Sequence, residues 1–505
     1  MPIWLGIDCG GTFLKAGLYD GTGRLLGLAR TGLPVLSDEP GWAERDMETL
    51  WQATCRVIGD VLARSGIAPT AINGVGISAQ GKGLFLLDRD QRPLGRAMLS
   101  SDQRALDKVR VWQREGLPAK LYPRTLQTLW TGHPVSLLRW LKDERPAVYS
   151  GIGSILMAHD YLRFRLTGKL GAEITNISES NLYDMHSDCY DSGLAQLCGI
   201  GEIMEALPPI VGSAEVVGEV TVEAATETGL AVGTPVVGGL FDVVATSLAA
   251  GIADETRLNA VLGTWSVATG VTDKVVEGLS IPFVYGRHAD AELYIVHDAS
   301  PTSAANLEWL ATQLADRDYA AMDKAVAALP PAGSDVLFLP FLYGSNAGLG
   351  MKAGFYGLQA LHGRAHLLQA VYEGVIFSFL HHLDRLRQRF PSVETLRVTG
   401  GPARSEVWMQ MLADASGLSL ELPAVEETGC LGAAMAAAVG TGAYVDFRAA
   451  MAAFEPSLTR VEPVPSRFAL YARKRIAYRE LIAALAGYEE RLATLRAASP
   501  QGTVP

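Results

Sequence analysis

The chain has 505 residues, 49% hydrophobic and 19% charged, which allows two or three packed domains and excludes a disordered polymer. Lys plus Arg number 43 against 54 Asp plus Glu, a net charge of −11 that argues against a nucleic-acid partner. Five cysteines without a C-x-x-C pair argue against a disulfide framework or structural zinc site and favour a reducing cytoplasm. The opening Met1-Pro2-Ile3-Trp4-Leu5-Gly6-Ile7-Asp8 lacks the basic flank of a signal peptide. The most apolar long run, around Cys430 to Val439, is too short to span a bilayer and consists mostly of small residues. The 53 glycines point to many tight turns or close backbone approaches.

In chain order, residues 3–7 read as a buried strand, Cys9-Gly10-Gly11-Thr12 as a turn, 13–19 as the returning strand and 25–29 as a third. A helix is expected from Asp46, its N-cap, to about residue 63. A strand follows at 72–78, then helices at 102–113, 134–142 and 160–166, a strand at 235–240 and a helix at 242–250. Near 251–255 the pattern restarts: strand 258–262, turn Gly263-Thr264, strand 266–270. Strands at 293–296, 336–339 and 396–399 and helices at 364–389, 405–416, 429–439 and 468–495 complete the reading. The repetition suggests two α/β domains, residues 1–250 and 251–490, with a tail at 491–505.

Four features carry possible chemistry, and each has a bland alternative. Asp8-Cys9-Gly10-Gly11-Thr12 with Lys15 is either a hairpin turn or a phosphate cradle, in which glycine backbone approaches phosphate oxygens and the Asp holds Mg²⁺ through water. Gly263-Thr264 is a hairpin turn or a second such cradle. Gly400-Gly401-Pro402-Ala403-Arg404-Ser405 opens a helix or touches a nucleotide, and it fits neither a P-loop nor G-x-G-x-x-G. Asp242, after Gly238-Gly239, is a helix cap or a general base. Lys82 reads either as a solvated lysine or as a ligand contact. His381-His382 reads as a helix-surface pair, Trp42 and Trp51 as core or interface residues, and Cys9 as a small buried hydrophobe.

Taken in order, Asp8-x-Gly10-Gly11-Thr12, Gly238-x-x-x-Asp242, Gly263-Thr264 and Gly400-Gly401-Pro402 resemble the FGGY carbohydrate kinases of the actin-like ATPase superfamily. Ala353-Gly354-Phe355-Tyr356-Gly357-Leu358, with His366-Leu367 and Ala370-Val371-Tyr372-Glu373, is similar to that family's C-terminal signature, and Pro40-Gly41-Trp42 with Glu44 and Asp46 also resembles it. The resemblance covers about residues 3–490. Within the family, Gln80-Gly81-Lys82-Gly83, Ser100-Ser101-Asp102 and Gly344-Ser345-Asn346 depart from the Gln-Met-His-Gly, Trp-Asn-Asp and Gly-Glu-Arg of kinases acting on D-xylulose, and Leu137 replaces an expected lysine. With Leu129-Trp130-Thr131-Gly132-His133-Pro134, these stretches resemble the members of the family that act on L-xylulose and 3-keto-L-gulonate, and the resemblance implies one of those sugars.

The resemblance implies two actin-like (ribonuclease H-like) α/β domains, mainly sugar-binding and mainly nucleotide-binding, with an ATP and sugar cleft between them. It implies ATP-dependent phosphorylation of a ketopentose hydroxyl, L-xylulose first, with Asp242 as base and Asp8 organising Mg²⁺. Gly10, Gly11, Thr12 and Lys15 would hold the γ-phosphate, Gly263 and Thr264 the β-phosphate, and Gly400, Gly401, Ala403 and Ser405 the adenosine. Gln80, Lys82, Asp102 and Asp242 would contact the sugar. The alternatives are a kinase for D-xylulose, ribulose or erythritol and a non-catalytic sugar sensor. The expected partners are ATP, Mg²⁺ and a small sugar, without nucleic acid or membrane, and a homodimer is left open.

Overall fold

The computed structural model describes residues 2–263, 265–276, 282–348 and 351–498. The chain forms two compact units, each assembled from separate stretches. The first comprises residues 1–253, 271–296 and 425–456; the second comprises 254–270, 297–424 and 457–505.

In the first unit, Ile3–Cys9 and Phe13–Asp20 form an antiparallel hairpin, and Leu25–Gly32 continues the meander. Ile72–Ala79 lies parallel to Ile3–Cys9 on its other side. The apolar runs of these central strands are buried on both faces, as covered parallel neighbours require. Helix Met47–Ser65 covers one face, capped by Asp46, whose side chain accepts from the Thr49 amide. The second unit repeats this plan. Arg257–Leu262 pairs antiparallel with Ser266–Thr272 and parallel with Thr395–Thr399, which is followed by Ser419–Pro423 and Leu458–Val461.

The small-residue run near Cys430 is helix Thr428–Gly440, buried in the first unit. A Cβ at Gly6 would stand 1.9 Å from the Cys430 carbonyl oxygen, and one at Gly76 would stand 1.9 Å from that of Ala433. Glycine therefore lets this helix lie directly on the two central strands, and a larger residue would force them apart. A Cβ at Gly432 would likewise sit 2.2 Å from the Ala245 oxygen of helix Asp242–Ala249.

Several expectations change. The strand expected at 235–240 is two pieces, Pro235–Val237 and Leu240–Phe241, because Gly238 and Gly239 turn between them. Gly239 has φ +100° and passes so close to Ile77 that a Cβ would meet its carbonyl oxygen at 2.5 Å. The helix expected from 102 starts only at Leu106, since Asp102 is engaged in a turn. His382 is not a surface residue. It is buried, with Ser300 Oγ 2.6 Å from its Nε2 and Asp298 Oδ1 3.3 Å from its Nδ1.

Candidate active site

Strand register builds the first turn. Asp8 stands opposite Lys15 across the hairpin and beside Ser78 on the parallel strand. Ser78 donates to Asp8 Oδ1 at 3.2 Å, and Lys15 Nζ lies 3.5 Å from Oδ2 and 2.7 Å from Glu427 Oε2. Burial pushes the Asp8 carboxyl up, Lys15 opposes that, and Glu427 adds to it. The two carboxylates hold the Lys15 ammonium above its ordinary range despite its burial. Gly429 is needed here, because a Cβ would sit 2.5 Å from Asp8 Cγ.

The turn itself is held from beneath. Arg45, buried, donates to the Gly11 carbonyl at 2.6 Å and more weakly to that of Gly10 at 3.4 Å. The Gly10 amide donates to Phe13 O at 3.0 Å. Among the described residues, the Gly11 and Thr12 amides have no protein acceptor, and both residues are exposed. Adjacent free amides on a turn whose carbonyls point at an arginine form a concavity suited to anions. Cys9 is buried, and its thiol is pushed up to about 11 by burial, so it is inert as a nucleophile.

Asp242 is the first residue of its helix; Phe241 takes the cap position. The Phe241 amide donates to Thr175 Oγ1 at 2.8 Å, which fixes the entry to the helix. Burial, helped by the charges of Asp8 and Glu179 and opposed by the Val243 amide and Lys82, raises the Asp242 carboxyl to about 7. That value suits a base working near neutrality.

Gln80 lies against the first turn: its Oε1 is 3.6 Å from where a Gly11 Cβ would be. Its Nε2 is buried without a protein acceptor among the described residues, which leaves a donor free for a ligand or water. Lys82 is not a solvated lysine. It occupies the left-handed region at φ +62°, its amide donates to Asn176 Oδ1 at 2.8 Å, and its ammonium pairs with fully buried Glu179 at 2.5 Å. The ammonium also lies 5.3 Å from the centre of the Phe241 ring. Asp102 is fully buried and engaged: Arg104 N, Nε and Nη2 and the Ala43 amide all donate to it, at 2.7–2.9 Å. A carboxylate has about four acceptor positions, so these donors fill it. Arg104 in turn lies 3.9 Å over the Trp42 ring.

The second unit brings its two glycine turns together. Gly400, at φ +103°, approaches the end of Arg257–Leu262 so closely that a Cβ would be 2.2 Å from the Leu262 oxygen, next to Gly263. Gly263 O accepts from the Ala304 amide at 3.1 Å. Thr264 lies outside the described residues. A Cβ at Gly401 would meet nothing within 4 Å, so the turn opens onto free space. The Ala403 amide donates to Gly400 O at 3.1 Å, and Ser405 caps helix Glu406–Ser416 through the Trp408 amide.

Thus the first unit gathers Asp8, Gly10, Gly11, Thr12, Lys15, Gln80, Lys82 and Asp242, and turns Asp102 inward. Sequence reasoning assigned no role to Arg45, Glu179, Glu427 or Gly429. Arg45 at least stood inside a quoted motif; Glu427 and Gly429 reach Asp8 from over 400 positions away, and no local pattern announces that.

A raised carboxyl, a turn with free amides and paired glycine turns on a repeated strand–turn–strand frame are features that a phosphoryl-transfer enzyme can use. The chain belongs to the FGGY family of carbohydrate kinases: the N-terminal domain model matches residues 3–249 and the C-terminal domain model residues 258–441. It is therefore a sugar phosphotransferase with ATP as phosphoryl donor. It is 58% identical to the L-xylulose/3-keto-L-gulonate kinase of Escherichia coli (strain K12), over 97% of this chain and 98% of that protein. It is also 58% identical to a probable L-xylulose kinase of Pasteurella multocida, over 96% and 99%. The crystal structure of xylulose kinase from Rhodospirillum rubrum has a TM-score of 0.84 at 26% identity, covering 96% of this chain and 99% of that one. Among the described residues no helix is long and apolar enough to cross a membrane.

Proposed function

We propose that this chain phosphorylates a ketopentose, L-xylulose first, at the expense of ATP. The relatives at 58% identity support the sugar class, and the observation that carries the chemistry is Asp242, whose carboxyl titrates at about 7 beside the free Gly11 and Thr12 amides' turn. Asp242 accepts the proton of the sugar hydroxyl as its oxygen attacks the γ-phosphorus and the bond to ADP breaks. Gly10, Gly11 and Thr12 cradle the γ-phosphate, and Lys15 supplies charge, shared in the free protein with Asp8 and Glu427. Gly263 and Thr264 would hold the β-phosphate, and Gly400, Gly401, Ala403 and Ser405 the adenosine. This gives the sugar mainly to the first unit and the nucleotide mainly to the second.

Mg²⁺ fits Asp8, since that ion keeps most of its water and needs only one or two carboxylates besides phosphate. When bound it neutralises phosphate charge. Gln80, Lys82 and Asp242 would meet the sugar, with Asp102 acting through Arg104. The Lys82–Glu179 pair bears on the choice of sugar. Its net charge is zero, so it suits a neutral ketose better than the carboxylate of 3-keto-L-gulonate. D-xylulose, ribulose and erythritol are the rival substrates. Five unpaired cysteines support a cytoplasmic location. The assembly we propose is a homodimer, on the exposed Phe468, Leu470 and Ile476; a monomeric mass by light scattering overturns it.

The test is a coupled ATP assay over ketoses, polyols and keto-acids with Mg²⁺. L-xylulose should give the highest kcat/KM. If no sugar stimulates ATP consumption, the chain is the non-catalytic sensor instead.

A further inference from the structure

The C-terminal signature residue Tyr372 and the turn residue Ser405 converge on a side chain that no motif singles out. Both hydroxyls donate to the same oxygen, Oδ1 of Asp323, at 2.7 and 2.8 Å. Each donor is itself fixed. The Tyr372 ring stacks on Trp408 with centroids 4.2 Å apart, and Ser405 Oγ accepts from the Trp408 amide at 3.2 Å. Tyr372 and Trp408 are buried, whereas Asp323 is half-buried. Its second oxygen, Oδ2, accepts from no protein donor among the described residues. A rigidly aimed carboxylate with one oxygen unused stands beside a turn that opens onto free space at Gly401.

One helical turn before Asp323, on the same face of helix Tyr319–Ala327, Tyr319 leaves 43% of its surface exposed. An exposed aromatic ring and a carboxylate oxygen, four residues apart, match a nucleoside: the ring offers a stacking surface and the carboxylate an acceptor for vicinal hydroxyls. The order along the site agrees. The Gly263 turn would take phosphate, the adjoining Gly400–Ser405 turn would meet the adenosine, and Asp323 lies beyond Ser405 where the ribose would follow. A bare carboxylate near a polyphosphate is electrostatically unfavourable unless a ligand donor engages it.

We propose that Asp323 reads the ribose hydroxyls of the nucleotide through Oδ2, and that Tyr319 flanks the base. This rests on the kinase reading above and adds residues that the glycine motifs do not include. Tyr372 and Ser405 are positioning residues, since they act by orienting Asp323.

The test measures ADP binding by calorimetry and KM for ATP, using ATP, 2′-deoxy-ATP and 3′-deoxy-ATP and the corresponding diphosphates. The wild type should bind ADP about tenfold more tightly than at least one deoxy analogue. Asp323→Ala should lose about tenfold for ADP and level that discrimination, with KM for sugar unmoved. Asp323→Asn, which keeps an acceptor, should fall between. Tyr319→Ala, at an exposed position, should weaken ADP and its deoxy analogues equally. If both Asp323 variants lose thermal stability but keep the wild-type ratio between ADP and its deoxy forms, Asp323 is only a packing residue and the proposal is overturned. A wild type that binds ADP and phosphorylates sugar with no preference for ribose hydroxyls overturns it too, leaving the kinase reading intact. A wild type that binds no ADP at all removes both.

Discussion

The two strand–turn–strand elements share a plan and differ in charge. Around the first, Asp8, Lys15, Arg45, Glu427 and Asp242 interact within a few ångströms or through their fields. Around the second, the groups left unpaired among the described residues are neutral, on Asn259, Ser266, Thr269 and Thr399, and the buried charges Arg397 and Glu421 neutralise each other. A turn that takes part in bond making must stabilise changing charge, so it needs groups whose protonation and field are tuned. A turn that only binds can rely on backbone and hydroxyl donors. The same local fold thus carries two different charge settings, and the side chains around it make the difference.

The sharpest way to break this comparison is Asp242→Asn. It should lower kcat by about a thousandfold, and a variant within tenfold of wild type would remove Asp242 as the base. Next is Lys82→Met, which takes the ammonium away from buried Glu179. It should cost about 3 kcal/mol in chemical denaturation, and adding Glu179→Gln should recover most of that. Asp8→Asn should reduce kcat about a hundredfold. It should also move the acid limb of the kcat/KM profile below about 7, because the Asp8 charge no longer raises Asp242; an unmoved limb would show that the two carboxylates are not coupled.

In the neutral region, Gly400→Ala should cost about 2 kcal/mol and raise KM for ATP, since its φ of +103° and the Leu262 oxygen leave no room. Gly401→Ala should cost far less, and equal effects at the two positions would contradict the described turn. The smallest effect is on stability. The Asp242 carboxyl titrates higher in the fold than in the unfolded chain, so the folded state holds the extra proton between about pH 4 and 7. Its burial therefore lowers stability progressively as pH rises through that window. Asp242→Asn should raise Tm by a few degrees at pH 8 and by almost nothing at pH 4; a rise that is the same at both would place the effect elsewhere.

Much of this frame was legible in the chain. The hairpin at the first turn, the Asp46 cap, helix Arg364–Arg389 and the restart after residue 250 all follow from local periodicity and capping. The turn residues were legible as candidates because glycine and an acid at a strand end are local signals. Long-range returns were not. Residues 425–456 join the first unit, and Glu427 and Gly429 meet Lys15 and Asp8, through contacts that have no sequence period. Lys82 shows the same limit from the other side. Its glycine-rich surroundings left solvent and a ligand contact both open, while the fold supplies Glu179 and Phe241 from elsewhere.

The amino-acid sequence by itself determined the repeated α/β plan, the family, and which residues are candidates for chemistry, because motif order and strand periodicity are properties of the chain. Tertiary structure alone decided what those residues do in the fold. It fills the Asp102 carboxylate with Arg104 and the Ala43 amide, leaves the Gln80 Nε2 without a partner among the described residues and sets the Asp242 carboxyl near 7. Burial and neighbouring charge fix such properties, and both arise only when distant segments pack together.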